Sequence, residues 1–255
     1  QATITGHCNV GVAYQGYVNL TSGGCNVAMG YRPLYNLTDA SLNVGIGYEA
    51  LHEATTGNQT AVGSYALRQN TSGHSNTALG YFAACGNTTG CYNTAIGRAA
   101  LKTKTTGSSN TAVGYNALTT TSQGQYNTSI GAYSLDAVTT SNYNTANGFN
   151  AGTDITTGCC NVMVGAGAGK NVTTGIRNTI IGMCTGNDLT TGSNNVLIGE
   201  GSCADAVDTS NTVAIGFRVV SIANSVSFGN VGTDSRIAFG ATSITAPSDM
   251  RLKED

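Results

Sequence analysis

The chain has 255 residues, of which only 9% are charged, and a formal net charge of −2. It carries 35 glycines, 2 prolines and no tryptophan. An ordinary globular domain has about 25% charged residues, and a disordered chain lacks the plentiful Val, Ile and Thr seen here; an ordered, β-rich repeat protein is expected. The near-neutral balance leaves no electrostatic footprint for nucleic acid. No apolar run approaches the roughly 20 residues of a membrane-spanning helix. Neither a nucleic-acid partner nor membrane insertion is expected.

The pattern begins early. Gln1 stands in mid-pattern, as in a piece of a longer or processed polypeptide, and Asn9 to Ala13 is a weak first copy. Stronger copies close on Gly30, Gly47, Gly63, Gly80, Gly97, Gly114, Gly131, Gly148, Gly165, Gly182, Gly199 and Gly216. The steps are 17 residues, except one of 16 between Gly47 and Gly63. A fixed period of this kind marks a solenoid. The repeat is too short for a pair of helices, and no copy shows a sustained i, i+3, i+4 apolar stripe. Each copy is therefore predicted to be one coil of an all-β β-solenoid. After Gly216 the steps shorten to 13 at Gly229 and 11 at Gly240. The chain thus divides into a regular solenoid over 1–216, tapering coils or a neck over 217–240, and a linker with a C-terminal motif over 241–255.

One copy, Cys91 to Gly107 (CYNTAIGRAALKTKTTG), shows the expected anatomy. Thr94 and Ile96 lie two apart and share one strand face, with Ala95 on the other. The Ile96 slot is apolar in nearly every copy (Met29, Ile46, Val62, Leu79, Val113, Ile130), Asn147 being the exception. It is expected to be the inward column of the core. The Ala-Leu pair that follows, as in Ala100-Leu101, is expected to form a second short strand or wall. The Thr-Thr-Gly segment has turn chemistry, its glycine being free to take positive φ. Stacking places like on like. Asn76, Asn93, Asn110, Asn127, Asn144, Asn161, Asn178 and Asn195 are expected to form an amide ladder that also satisfies turn backbone, a structural role.

The N-[TSV]-A-[IV]-G-x-x-A core resembles the head repeats of trimeric autotransporter adhesins. The longer NTAIGxxAL…TTG form is similar to repeats of bacteriophage and viral tail-fibre proteins. The likeness spans residues of about 8 to 240. It implies a left-handed parallel β-roll assembled as a homotrimer. The chain ends Ala246-Pro-Ser-Asp-Met-Arg-Leu-Lys-Glu-Asp255. SDMRLKED resembles the opening of the intramolecular chaperone domain of endosialidase-type tailspikes and fibres. That resemblance implies a chaperone that trimerises, templates the fibre and releases itself by cleavage. On the motif, Ser248 would be the nucleophile, Asp249 would follow the scissile bond, and Lys253 would be the assisting base. A lysine of depressed pKa can take a serine proton.

Other constellations carry less. Val164 to Asn171 (VGAGAGKN) is no phosphate loop, because Val164 stands where Gly is needed and Asn171 where Ser or Thr is. His7, His52 and His74 lack metalloprotease spacing and are expected in solvent-facing loops. The 8 cysteines contain no Cys-x-x-Cys, so neither metal nor other cofactor is expected, and most thiols are expected free and buried. Tyr31, Tyr48, Tyr81 and Tyr115 follow the repeat glycine. Packing over neighbouring coils or a trimer seam explains them; the functional alternative is a carbohydrate-stacking stripe. Thr pairs such as Thr105-Thr106 recur in register, and regular Thr arrays on flat solenoids can bind ice.

These features point to a structural, adhesive protein, with no enzymatic activity beyond the self-cleavage implied at Ser248. The expected function is the shaft or receptor-binding region of a homotrimeric viral or phage tail fibre, on the virion or extracellular, meeting a host-surface receptor such as a glycan. A bacterial trimeric surface adhesin or extracellular filament, and an ice- or glycan-binding solenoid, are the alternatives.

Overall fold

The computed structural model describes residues 5–103 and 105–241. These form a parallel β-solenoid of about 17-residue coils, without a helix. The chain divides into two compact units, one ending at Asn144 and the other beginning at Thr145.

The first unit holds β1 (Val10–Tyr14), β2 (Val27–Tyr31), β3 (Asn43–Ile46), β4 (Gln59–Val62), β5 (Thr77–Leu79), β6 (Thr94–Ile96), β7 (Thr111–Val113) and β8 (Thr128–Ile130). They pair in parallel in chain order, one repeat apart, so that Thr94 meets Thr111, Ala95 meets Ala112 and Ile96 meets Val113. The second unit holds β9 (Thr145–Asn147), β10 (Val162–Val164), β11 (Thr179–Ile181), β12 (Val196–Ile198), β13 (Cys203–Ala204), β14 (Thr212–Phe217), β15 (Val220–Ser221), β16 (Ser225–Asn230) and β17 (Ser235–Ala238). Strands β12, β14 and β16 continue the parallel order. The step to Gly229 is a genuine shorter coil. The step to Gly240 is not: β17 returns antiparallel to β16, with Val226 opposite Ile237. A return strand covers the edge that a further parallel coil would leave open.

The strand faces are the reverse of those expected. Ala95 is fully buried, whereas Thr94 and Ile96 are half-buried on the outer face. The inward column reads Ala61, Ala78, Ala95, Ala112 and Ser129 in the first unit, and Ala146, Met163, Ile180, Leu197 and Ala214 in the second, all at 0% exposure. The reason is space. Leu51, Leu67, Leu101 and Leu118 enter the same narrow interior from the opposite wall and are also fully buried. In those coils, close packing leaves the strand room for a methyl group or less.

Among the described residues, that opposite wall is a strand only at β13 and β15. Elsewhere it is a run of turns. Around Leu67, the amides of Ala66, Arg68 and Asn70 donate within the coil, to Gly63, Tyr65 and Leu67. The alternate amides of Tyr65, Leu67 and Gln69 donate to neighbouring coils, at Tyr48, Ala83 and Cys85. Tyr65 and Leu67 have φ of 62° and 48°. Such conformations cost about 1–3 kcal/mol each in an ordinary chain. Here they aim the N–H along the stack, where each finds a carbonyl. The Thr-Thr-Gly glycines do not take positive φ. A Cβ at Gly90 would collide with the carbonyl oxygen of Gly107, so glycine serves close approach of coils there. The positive φ belongs to the repeat glycine, as at Gly97 with φ 125°.

Candidate functional site

The asparagine slot is an internal ladder. The backbone N–H of Asn93 donates to Oδ1 of Asn76 at 2.9 Å, and its Nδ2 donates to the carbonyl of Gly107 at 2.9 Å. Asn110, Asn127 and Asn144 make the same backbone bond, each to the Asn one coil earlier. In the second unit Asn178 and Asn195 bond Asn161 and Asn178 in the same way. These residues are at most 1% exposed, which leaves no edge for a ligand.

The 16-residue step explains a member that the sequence reading overlooked. Gln59 occupies the Asn slot of β4 and pairs with Asn43. Its Nε2 reaches the carbonyl of Gly73 at 2.9 Å, and its N–H donates to Oδ1 of Asn43 at 3.2 Å. One residue is missing from the corner, and one methylene more in the side chain spans the gap. The repair is partial, because Nδ2 of Asn43 is buried without a partner. The signal was present: the only short step among the regular copies coincides with the Gln.

The outer sheet face is where chemistry is available. In the first unit the column Val27, Val44, Thr60, Thr77, Thr94, Thr111, Thr128 runs beside Met29, Ile46, Val62, Leu79, Ile96, Val113, Ile130. Met29, Leu79 and Ile130 are 41%, 48% and 40% exposed. In the second unit Val162, Ile181, Ile215 and Phe228 are exposed on the corresponding columns. Single exposed apolar residues are ordinary. Columns in register at strand spacing of about 4.8 Å are a contiguous patch, and such patches mark interaction sites.

Aromatic rings flank this face in the first unit. Tyr31 stacks on Tyr14 and on Tyr48, with ring centroids 5.3 and 4.8 Å apart and planes within 10°. Arg98 lies between Tyr81 and Tyr115, its guanidinium 5.9 and 5.2 Å from the two ring centroids. Tyr126 and Tyr143 stack at 5.0 Å. The faces of Tyr31 are therefore occupied by other rings, and its edge meets solvent. Beyond the rings sits a charged cluster. Arg68 Nε meets Glu49 Oε2 at 2.6 Å, and His52 Nδ1 meets Glu53 Oε1 at 2.9 Å. Asn36 Nδ2 donates to Glu53 at 2.7 Å, and the Tyr35 ring stacks on His52 at 5.0 Å. His52, expected in a solvent-facing loop, is buried because the residues one coil away on its column cover it. His7 is exposed, and His74 is half-buried, edge-on to Tyr92 at 5.1 Å.

All 8 cysteines are free thiols, but only Cys85 is buried; Cys8, Cys25, Cys160 and Cys184 are exposed. Cys8, Cys25 and Cys160 immediately precede the Asn slot, and that position points outward. Burial pushes the Cys85 thiol pKa up, and it pushes Cys203 up to about 11, with Asp188 adding to the effect. Among the described residues no group of three His, Cys, Asp or Glu could hold a metal ion, and no helix is long and apolar enough to cross a membrane. Ser248, Asp249 and Lys253 lie outside the described residues. Compared with protein-family models, curated proteins and solved structures, the chain matched none.

Proposed function

We propose that this chain is a structural, adhesive fibre segment whose copies associate through the outer face of their sheets. The observation that carries the reading is the apolar column from Met29 to Ile130, turned outward beside a largely Thr column, while each unit packs its own core on the opposite face. Identical copies present identical columns, so a closed symmetric assembly buries all of them. Three is the number drawn from the resemblance of the repeat to trimeric adhesin heads. In this reading the chain is the shaft or receptor-binding region of a viral or phage tail fibre, on the virion or extracellular, attaching to a host surface. A bacterial trimeric adhesin would use the same face.

A second reading has its own observation. The Thr column from Thr60 to Thr128 stands on the outer sheet face, a regular array of the kind that can bind ice. The Thr-Thr pairs do not provide one: the Thr88 hydroxyl donates to the carbonyl of Thr105 at 3.2 Å. Thermal hysteresis of the purified protein separates this reading from the first.

The deciding measurement is mass in solution. Sedimentation equilibrium is expected to give three chains. Ile96→Lys combined with Ile130→Lys is expected to give a single chain with an unchanged β circular-dichroism spectrum. A wild-type protein that sediments as a monomer at micromolar concentration would sink the proposal.

A further inference from the structure

One corner of the second unit carries two thiols side by side. Cys159 and Cys160 are the only adjacent cysteines in the chain, and no other coil places a thiol in both of these slots. Cys159 is half-buried and Cys160 is exposed. The pair is held on both sides. The N–H of Arg177, one coil on, donates to the carbonyl of Cys159 at 3.0 Å. The next residue, Asn161, is a fully buried ladder rung whose Nδ2 donates to the carbonyl of Gly175 at 2.9 Å. Between these anchors Cys160 donates its S–H to Sγ of Cys159 at 3.5 Å.

The spacing selects the chemistry. The peptide joining the two residues is trans. Adjacent Cα atoms are then about 3.8 Å apart, inside the roughly 4.4 Å at which unstrained disulfides begin. A single bridging atom fits better. With bonds to sulfur of about 2.3 Å, as in thiolate–zinc sites, the 3.5 Å span subtends about 100° at that atom. This is the angle of a pyramidal, three-coordinate centre. A linear two-coordinate ion would need its sulfurs about 4.6 Å apart at the same bond length. A tetrahedral zinc would need four ligands, and among the described residues no group of three His, Cys, Asp or Glu could hold a metal ion. Burial, then the hydrogen bond from Cys160, push the Cys159 thiol pKa up, with Arg177 opposing, so that sulfur keeps its proton at neutral pH. We infer that Cys159 and Cys160 form a chelating dithiol for a pyramidal thiophilic centre, of the class of monosubstituted arsenic(III) compounds. An arsenoxide, R–As=O, loses its oxygen and gains two As–S bonds, and the two thiol protons leave with that oxygen as water. Arsenic stays trivalent, so no oxidant or reductant takes part. Because the fold already sets both sulfurs, little ordering opposes the ring closure.

The test is addition of phenylarsine oxide to the intact protein, a wash with excess monothiol, and mass spectrometry of the whole chain and of its peptides. Wild type is expected to keep one phenylarsine group per chain, on the peptide that holds both Cys159 and Cys160, and to release it to 2,3-dimercaptopropanol. Cys159→Ser and Cys160→Ser each leave a single thiol at the corner. Each installs the residue that a sibling coil carries in that slot, Ser108 and Ser109, so the fold is kept. Both are expected to hold the group at least 10-fold more weakly. Cys8→Ser combined with Cys25→Ser is expected to change nothing. Failure of wild type to keep the group, a group mapped to any other pair of cysteines, or undiminished retention by Cys159→Ser or Cys160→Ser would each overturn the inference. The peptide map of wild type reads the site directly, whatever the variants do.

Discussion

Met163 and Gly169 share one slot in the core. A Cβ added to Gly169 would lie 3.0 Å from both Cγ and Sδ of Met163. One coil on, a Cβ at Gly186 would lie 3.1 Å from Cδ1 of Ile180. In the first unit the bulk is reversed, with Ala95 on the strand and Leu101 on the turn wall, both fully buried. In these coils the methylenes absent from one wall are supplied by the other. Met163→Ala alone is expected to cost about 2–5 kcal/mol through the cavity. Gly169→Leu alone is expected to cost about 1–3 kcal/mol by overpacking. Together they recreate only part of the Ala95–Leu101 arrangement, because a Cβ at Gly169 also lies 3.0 Å from Cδ1 of Ile180, and they should recover part of the loss. A double-mutant cycle by urea unfolding measures the coupling; strictly additive costs would refute a shared slot.

The ladder predicts a second cost. Asn110 donates from Nδ2 to the carbonyl of Gly124 at 2.8 Å and accepts from the N–H of Asn127 at 3.0 Å. Asn110→Ala strands both, at about 1–3 kcal/mol for each buried group. Asn110→Asp puts a carboxyl in the same dry site. Burial raises its pKa above the unfolded value of about 3.9, so the stability of this variant is greatest below that pH and falls as pH rises. Melting curves at pH 4 and pH 7 check the sign, the variant being nearer to wild type at pH 4.

Tyr17 predicts the alkaline limb. Its hydroxyl donates to the carbonyls of Val10 at 2.8 Å and Asn26 at 2.6 Å. Burial pushes its pKa up to about 12, with a backbone hydrogen bond at Ala28 opposing. The folded value lies above the unfolded value of about 10. The stabilisation is therefore complete below about pH 10 and is lost as pH rises towards 12. Tyr17→Phe is expected to cost roughly 1 kcal/mol at neutral pH and to flatten stability between pH 10 and 12. Unfolding midpoints across that range, read beside phenolate absorbance, decide it.

The thiols should react in two classes. At pH 8 roughly a quarter of an ordinary thiol of pKa about 8.5 is thiolate, against about 0.1% of one at 11. Cys8, Cys25 and Cys184 are exposed, Cys85 is buried, and Cys203 has its pKa raised to about 11. Maleimide labelling followed by peptide mass mapping is expected to modify the first three within minutes and to leave Cys85 and Cys203 for last. Early labelling of Cys85 would contradict its burial.

The period was legible because identical residues 17 apart must stack, and stacking alone implies coils. The face was misread because an apolar column usually means an interior. The Ala column opposite Leu67 and Leu101 held the correction: two bulky walls do not fit inside a coil this small. The turn wall was illegible for another reason. Tyr65 and Leu67 are poor residues for positive φ, and only the carbonyls of neighbouring coils make that backbone worthwhile. The burial of His52 likewise depends on Tyr35 one coil away, which no local pattern reveals.

Gln59 shows how much variation in coil length this stack accommodates. A deletion that shifts register is ordinarily fatal to a sheet, because it turns every later side chain over. Here the shorter step falls at a corner, the following strand keeps its facing, and the longer Gln59 side chain in the adjacent ladder rung makes the bond to Gly73 while its N–H meets Asn43. Corners of this solenoid are thus places where a coil can be one residue shorter while the strands on either side stay in register, at the cost of one unpartnered amide at Asn43.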